Sequence, residues 1–225
     1  MNNRAQKALW GFVSDLGGTI ALTIITFVAA PIILDLTSQT LYGFWVTTIS
    51  ILGYLALTDL GIGMALTRLV AVLASKGNSK KLNGVINTAF FTFCGIGLVF
   101  FLIGYSFLSY IPSWFKIPKE ESELIISAYR IAIISGALAL PLSVFSGIVV
   151  GFQQMGVINI SNNIISIVGV GLSIFLLNME IGLVSLPLAT LFTVIISSIV
   201  SFIYAKKYFP ELKLSLLDIN KKDLK

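Results

Sequence analysis

VINISNNIISIVGVGLSIFLL, residues 157–177, is followed after only Asn178-Met179-Glu180 by IGLVSLPLATLFTVIISSIVSFIY, residues 181–204. Each run is long enough for an α-helix to cross about 30 Å of hydrocarbon, which takes roughly 20 residues at about 1.5 Å each. So short a link can only reverse the chain. The pair reads as a transmembrane helical hairpin.

Working outward, four more runs of membrane length precede it, at about 8–34, 41–63, 85–111 and 124–152. The breaks between them are polar or turn-forming: Asp35 to Thr40, the basic Ser75 to Lys81, the proline- and glutamate-bearing Pro112 to Glu123, and Gly151 to Gly156. The expected fold is all-α, a polytopic six-helix bundle over residues 1–205 with a basic tail at 206–225. The first run is too long for a signal-peptide core of about 7–15 residues and carries Asp15, so it reads as an uncleaved helix.

Composition agrees. Hydrophobic residues make up 56% of the 225 and charged residues 11%, against about 45–50% and about 25% in soluble domains. The mean hydropathy is +0.96. A soluble fold of this kind would expose large apolar patches, whereas a bilayer solvates them. There is no His and one Cys. That excludes an internal disulfide, a Cys/His zinc site and a His-based catalytic dyad, and Cys94 reads as a small packed residue. No metal site, catalytic residue or nucleic-acid partner is expected. The net charge of +5 follows from topology instead. Twelve of the fifteen Lys and Arg fall at the N-terminus, around the second connection or in the tail, while Lys116 and Lys119 are outnumbered by Glu120, Glu121 and Glu123. By the positive-inside rule both termini face the cytoplasm.

Several helices carry polar stripes. Asp15, Thr19, Thr23 and Thr26 share a face, as do Asn162, Ser166, Gly169 and Ser173, and Thr190, Thr193, Ser197 and Ser201. Such stripes serve either interhelical hydrogen bonding or a water-filled cavity, and the asparagines and buried charges favour the cavity. Ser135, Ala139, Ser143, Gly147 and Gly151 recur every four residues. Small residues in that register form a groove for a neighbouring backbone.

A charge at mid-bilayer costs at least about 2.5–3.5 kcal/mol, so intramembrane charges face a partner or water. Arg130 lies inside the fourth run, past the Glu121–Glu123 cluster; it either snorkels outward or binds an anion. Asp59 either caps the segment after it, pairs with Arg68 or holds a cation. Asp15 has the same choice between pairing with Arg68 and a proton or sodium site.

Leu41-Tyr-Gly-Phe-Trp45 and Asp59-Leu-Gly-Ile-Gly-Met-Ala-Leu-Thr-Arg-Leu-Val-Ala71 resemble the polysaccharide-flippase branch of the multidrug/oligosaccharidyl-lipid/polysaccharide exporter superfamily, which includes the Wzx-type O-antigen flippases. The resemblance implies two six-helix bundles around a V-shaped cavity in a bacterial cytoplasmic membrane, with this chain as the N-terminal lobe. Residues 214–225 look like the connection to a seventh helix, so a C-terminal half is an expected partner alongside the bilayer. It further implies alternating access that carries a lipid-diphosphate-linked oligosaccharide, such as an O-antigen or capsule unit, outward. Arg130 and Arg68 would then meet the diphosphate, Asn162 and Asn163 the sugars, and Asp15 or Asp59 a coupling H+ or Na+, with no other cofactor. The rivals are a cation-coupled drug exporter, which wants an acidic pocket, and a half-bundle that is inert or assembles with a partner. A membrane transferase ranks last, because no paired acidic motif or large catalytic loop appears.

Overall fold

The computed structural model describes residues 3–54, 61–115 and 117–215, with residues 3–9 as backbone only. Every regular element among them is helical. In chain order these are α1 (Asn3–Asp35), α2 (Gln39–Tyr54), α3 (Ile62–Ser75), α4 (Ser79–Ser106), the single-turn α5 (Ile111–Trp114), α6 (Lys119–Gly151), α7 (Met155–Asn178), and α8 (Ser185–Tyr208), which a 3-10 turn at Gly182–Val184 leads into. Among the described residues, α1 from Trp10 onward, α4, α6, α7 and α8 with its leading turn are long and apolar enough to cross a membrane. The chain is a polytopic helical membrane protein.

The second expected helix, 41–63, is interrupted. Helix α2 is described to Tyr54, residues 55–60 with Asp59 lie outside the described residues, and Gly61 has φ 80°. Only glycine takes that left-handed conformation freely, and it turns the chain into a separate amphipathic helix. Helix α3 buries Leu66, Val70 and Leu73 and exposes Met64, Arg68 and Val72. The third expected helix starts six residues early, at Ser79. There the Asn78 side chain accepts from the Lys81 N–H and satisfies one of the free donors of the first turn.

Helix α6 is the centre of the bundle. Half of its span is buried, whereas almost none of α1 is. It packs against α3, α4 and α8, while α1 lies along α7. Pro141 explains one of these contacts. It has no N–H for the carbonyl of Ala137, four residues earlier. Gly97 of α4 sits so close to that oxygen that a Cβ there would approach it to 2.5 Å. The glycine's Cα–H thus faces the freed acceptor, and Cα–H groups are the weak donors that close helix contacts offer. Farther along α6, Gly147 and Gly151 admit α3: a Cβ at 151 would lie 2.6 Å from the Val70 side chain and 3.0 Å from the Thr67 carbonyl. The small-residue register thus splits in two. Its glycines take a neighbouring helix as expected, and its Ser135–Ser143 half does something else.

The apolar interior forms two clusters. One joins α3, α4, the second half of α6 and the segment after α8, with Val70, Ile86, Ile148 and Leu212 all essentially inaccessible. The other joins α2, the α4–α6 connection, the first half of α6 and the α7–α8 turn, around Phe44, Ile125, Ile133 and Leu183. These clusters mark opposite ends of the bundle. The first end gathers Arg68, Lys76, Lys80, Lys81, Lys206, Lys207 and Lys213; the second carries the stacked and exposed Tyr110 and Trp114. Trp10, exposed beside Gly156 at the basic end, completes an aromatic anchor at each level.

Two glycines two residues apart on α4 separate close packing from propensity. Gly95 has open space where a Cβ would stand and Gly97 does not. Gly95→Ala should hold or raise thermal stability in detergent by up to about 1 kcal/mol. Gly97→Ala should lower it by about 1–3 kcal/mol. Equal melting temperatures for the two variants would contradict the α4–α6 contact.

Candidate substrate cavity

With α6 pinned to α3 and α4 on one side, its Ser135–Ala139–Ser143 stripe faces the other way, toward α2 and α8. Three cavities lie along α8, two of them bordered by this stripe. One of about 330 Å³ lies between α1, α2, α7 and α8, with Tyr42 and Trp45 in its wall. A second, of about 410 Å³, lies between α2, α4, α6 and α8. A third, of about 160 Å³, lies between α6, α7 and α8. Thr190 borders the first two, and Ala139, Ser143 and Val194 border the second and third. They form one track along α8.

The track is rich in hydroxyls, and their hydrogen bonds set its chemistry. Ser135, Ser143, Ser146, Ser173, Thr190, Thr193 and Ser198 each donate to a carbonyl three or four residues back in their own helix, at 2.6–3.0 Å. A carbonyl can only accept, so each proton is committed and the oxygen lone pairs are what remain. Asn162 adds the complementary group. Its Oδ1 accepts from Ser197 at 2.7 Å, and its amide N–H donors point to no partner among the described residues. The wall is therefore richer in acceptors than in donors: the Asn162 amide, the Thr26, Tyr42 and Ser166 hydroxyls and the Trp45 indole N–H are among the groups left to donate, and no charged residue among the described residues lines any of the three cavities.

Of the charged and amide residues singled out from sequence, only Asn162 borders this track among the described residues, whereas Thr26, Ser166, Gly169, Ser173, Thr190, Thr193, Ser197 and Ser201 of the polar stripes line it. Asn163 faces α1 instead, packed onto Gly18 so tightly that any side chain there would overlap its amide. Asn159, one turn earlier, reaches toward the Gly11 carbonyl at 3.5 Å. These two asparagines hold α1 to α7. Arg130 is exposed on α6. At about 100° per residue it shares a face with Ala137 and Pro141, the α4 side, and lies roughly opposite Ala139. Arg68 is exposed on α3 near the basic end, and Asp15 is exposed on α1. None of the three forms an ion pair among the described residues. Along the bundle axis the two arginines bracket the cavities, Arg68 level with the second half of α6 and Arg130 with the first. Tyr42 and Trp45 were legible in sequence only as part of a motif. Their place in a cavity wall depends on α1 standing off from α2, which no periodicity encodes.

A hydroxyl track inside a lipid-solvated bundle matches one kind of comparison. The sequence profile described as polysaccharide biosynthesis protein matches residues 6–224. The chain belongs to the polysaccharide biosynthesis protein family. Neither the curated proteins nor the solved structures searched gave a match. For this polysaccharide biosynthesis protein, the structural question becomes whether the track is wet.

Replacing Cys94 by Ala and introducing Ser143→Cys or Thr190→Cys tests that directly. Both thiols should react with a charged, membrane-impermeant methanethiosulfonate reagent in opened vesicles, whereas Leu98→Cys, on an exposed apolar face of α4, should not. Silence at both 143 and 190 would mean a dry, lipid-filled groove.

Proposed function

We propose that this polysaccharide biosynthesis protein moves a lipid-diphosphate-linked oligosaccharide across a bacterial cytoplasmic membrane by alternating access, without making or breaking covalent bonds. The observation that carries the reading is the acceptor-rich track. Sugar hydroxyls are donors, and an unpaired donor inside a bilayer costs several kcal/mol, so a file of lone pairs through the bundle lowers the barrier to crossing. The isoprenoid tail stays in lipid, as its own hydrophobicity requires. The basic end faces the cytoplasm, in keeping with the positive-inside rule.

In this reading the sugars lie against Ser135, Ser143, Thr190 and Asn162. The diphosphate travels outside the cavity wall, held first by Arg68 near the inner leaflet and then by Arg130 toward the outer one. Both arginines are exposed, and the long arginine side chain snorkels its guanidinium toward the headgroup level, where phosphate is. Asp15 is the described candidate for a coupling H+ or Na+, and a second six-helix lobe closes the cavity from the α1–α2 side. The rival reading, a drug exporter, calls for acidic groups in the pocket, and the described lining residues include none.

Two variants test the assignment in a vesicle assay that counts lipid-linked oligosaccharide reaching the far leaflet. Ser143→Trp, which fills the junction of two cavities, should slow flipping by about tenfold or more at normal expression. Arg130→Ala should abolish flipping while expression holds. Wild-type rates for Ser143→Trp would remove the track from the path; wild-type rates for Arg130→Ala would remove only Arg130 from the diphosphate route. Loss of cationic-dye efflux with oligosaccharide flipping intact would favour the drug exporter instead.

A further inference from the structure

Beyond α8 the chain turns at Pro210–Glu211, where the Leu212 N–H donates to the Phe209 carbonyl, and runs on without regular structure, yet it does not leave the bundle. Phe209 and Leu212 are buried in the apolar cluster of the basic end. Between and after them the backbone is gripped by two asparagines of α4. Asn83 Nδ2 donates to the Glu211 carbonyl and its Oδ1 accepts from the Lys213 N–H, each at 2.9 Å. Asn87 Nδ2 donates to the Lys213 carbonyl and its Oδ1 accepts from the Ser215 N–H, again at 2.9 Å. Lys206 Nζ adds a bond to the Leu212 carbonyl at 2.6 Å.

The geometry is a match of two repeats. Four residues of α-helix rise about 6 Å, and two residues of extended chain span about 6.6 Å. An Asn pair at i, i+4 can therefore read alternate residues of a strand as a neighbouring strand would, by backbone groups alone. Asn87 is fully buried, where an unsatisfied amide would be costly. The site selects its occupant by extended backbone and by one apolar side chain, here Leu212, set into the cluster between the two residues that Asn83 holds. The strap also crosses the end of α6, where Phe152 stacks on Tyr208 and Phe209. It links α8 to α4, two helices that each pack chiefly on α6.

We propose that Asn83 and Asn87 form a peptide-backbone clamp on α4, occupied by Glu211–Ser215, which locks the basic end of α4 to that of α8. The clamp does not depend on what the cavity carries. Releasing the strap frees the cytoplasmic mouth of the helix bundle and redirects whatever chain follows residue 215.

Hydrogen exchange on the full chain in lipid nanodiscs tests the occupancy. In the wild type the Lys213 amide should be protected. In Asn83→Ala/Asn87→Ala exchange over residues 211–215 should rise about tenfold or more, as the loss of bonds worth about that factor requires, with α6 and α8 still slow. If that double variant does not fold, Asn83→Ala alone, at a half-buried position, should release Lys213. Spin labels at Lys80 and Lys207, both exposed, read the lock: a narrow distance distribution in the wild type should broaden when the clamp is removed. An unprotected Lys213 in the wild type, or an unchanged distance distribution in a variant whose strap exchanges freely, would overturn the proposal.

Discussion

Helices in lipid gain nothing by burying apolar surface against one another, because hydrocarbon solvates them equally well. What brings them together is close backbone contact and internally satisfied polar groups. Here the decisive contact is Gly97 of α4 against the Ala137 carbonyl that Pro141 leaves free. With Gly147 and Gly151 admitting α3 on the same helix, it fixes the rotation of α6. That rotation then decides which α6 residues are covered and which face open space. Ser143 faces open space, and Ser135, itself buried, borders the same cavity.

The same need for polar satisfaction gives the cavity its character. A hydroxyl on a membrane helix has its own carbonyls within reach three and four residues back, and most of the wall hydroxyls use them. Proton donation is thus consumed locally and acceptance is left over. A wall built this way favours ligands that bring many donors and no net charge to the contact. Sugar rings are such ligands, and membership of the polysaccharide biosynthesis protein family fits with them. The described charges stay out of the wall.

The long helices were legible because the membrane imposes a length and a composition that few other constraints imitate. The hairpin at 157–204 alone fixed the class, and the cationic asymmetry fixed which connections share an end. Legibility failed where a residue's meaning depends on a neighbour. Arg130 reads as a cavity residue only until one asks which face of α6 the α4 helix covers. Its register with Ala137 and Pro141 held that answer, but only once Gly97 was known to pack there. Asn163 and Asn162 are adjacent, and a difference of about 100° around α7 sends one to α1 and the other to the cavity. Asn83 and Asn87 were invisible for another reason. They sit before and inside the apolar run that begins near Val85, and their partner strap lies more than a hundred residues away. The break after α2 was partly written in the sequence, since Gly61 and Gly63 loosen any helix there. Asp59 itself lies outside the described residues.

The central claim is that the track on α6, α7 and α8 holds the sugar part of a lipid-linked substrate. A photoreactive amino acid at Val194, which borders two of the cavities, measures this most directly, with Leu98 on the exposed apolar face of α4 as its control. Irradiation in vesicles loaded with lipid-linked oligosaccharide should attach the glycan at position 194 and only acyl or isoprenoid chains at 98. Glycan capture at 98 as strong as at 194, or none at 194, would contradict the account.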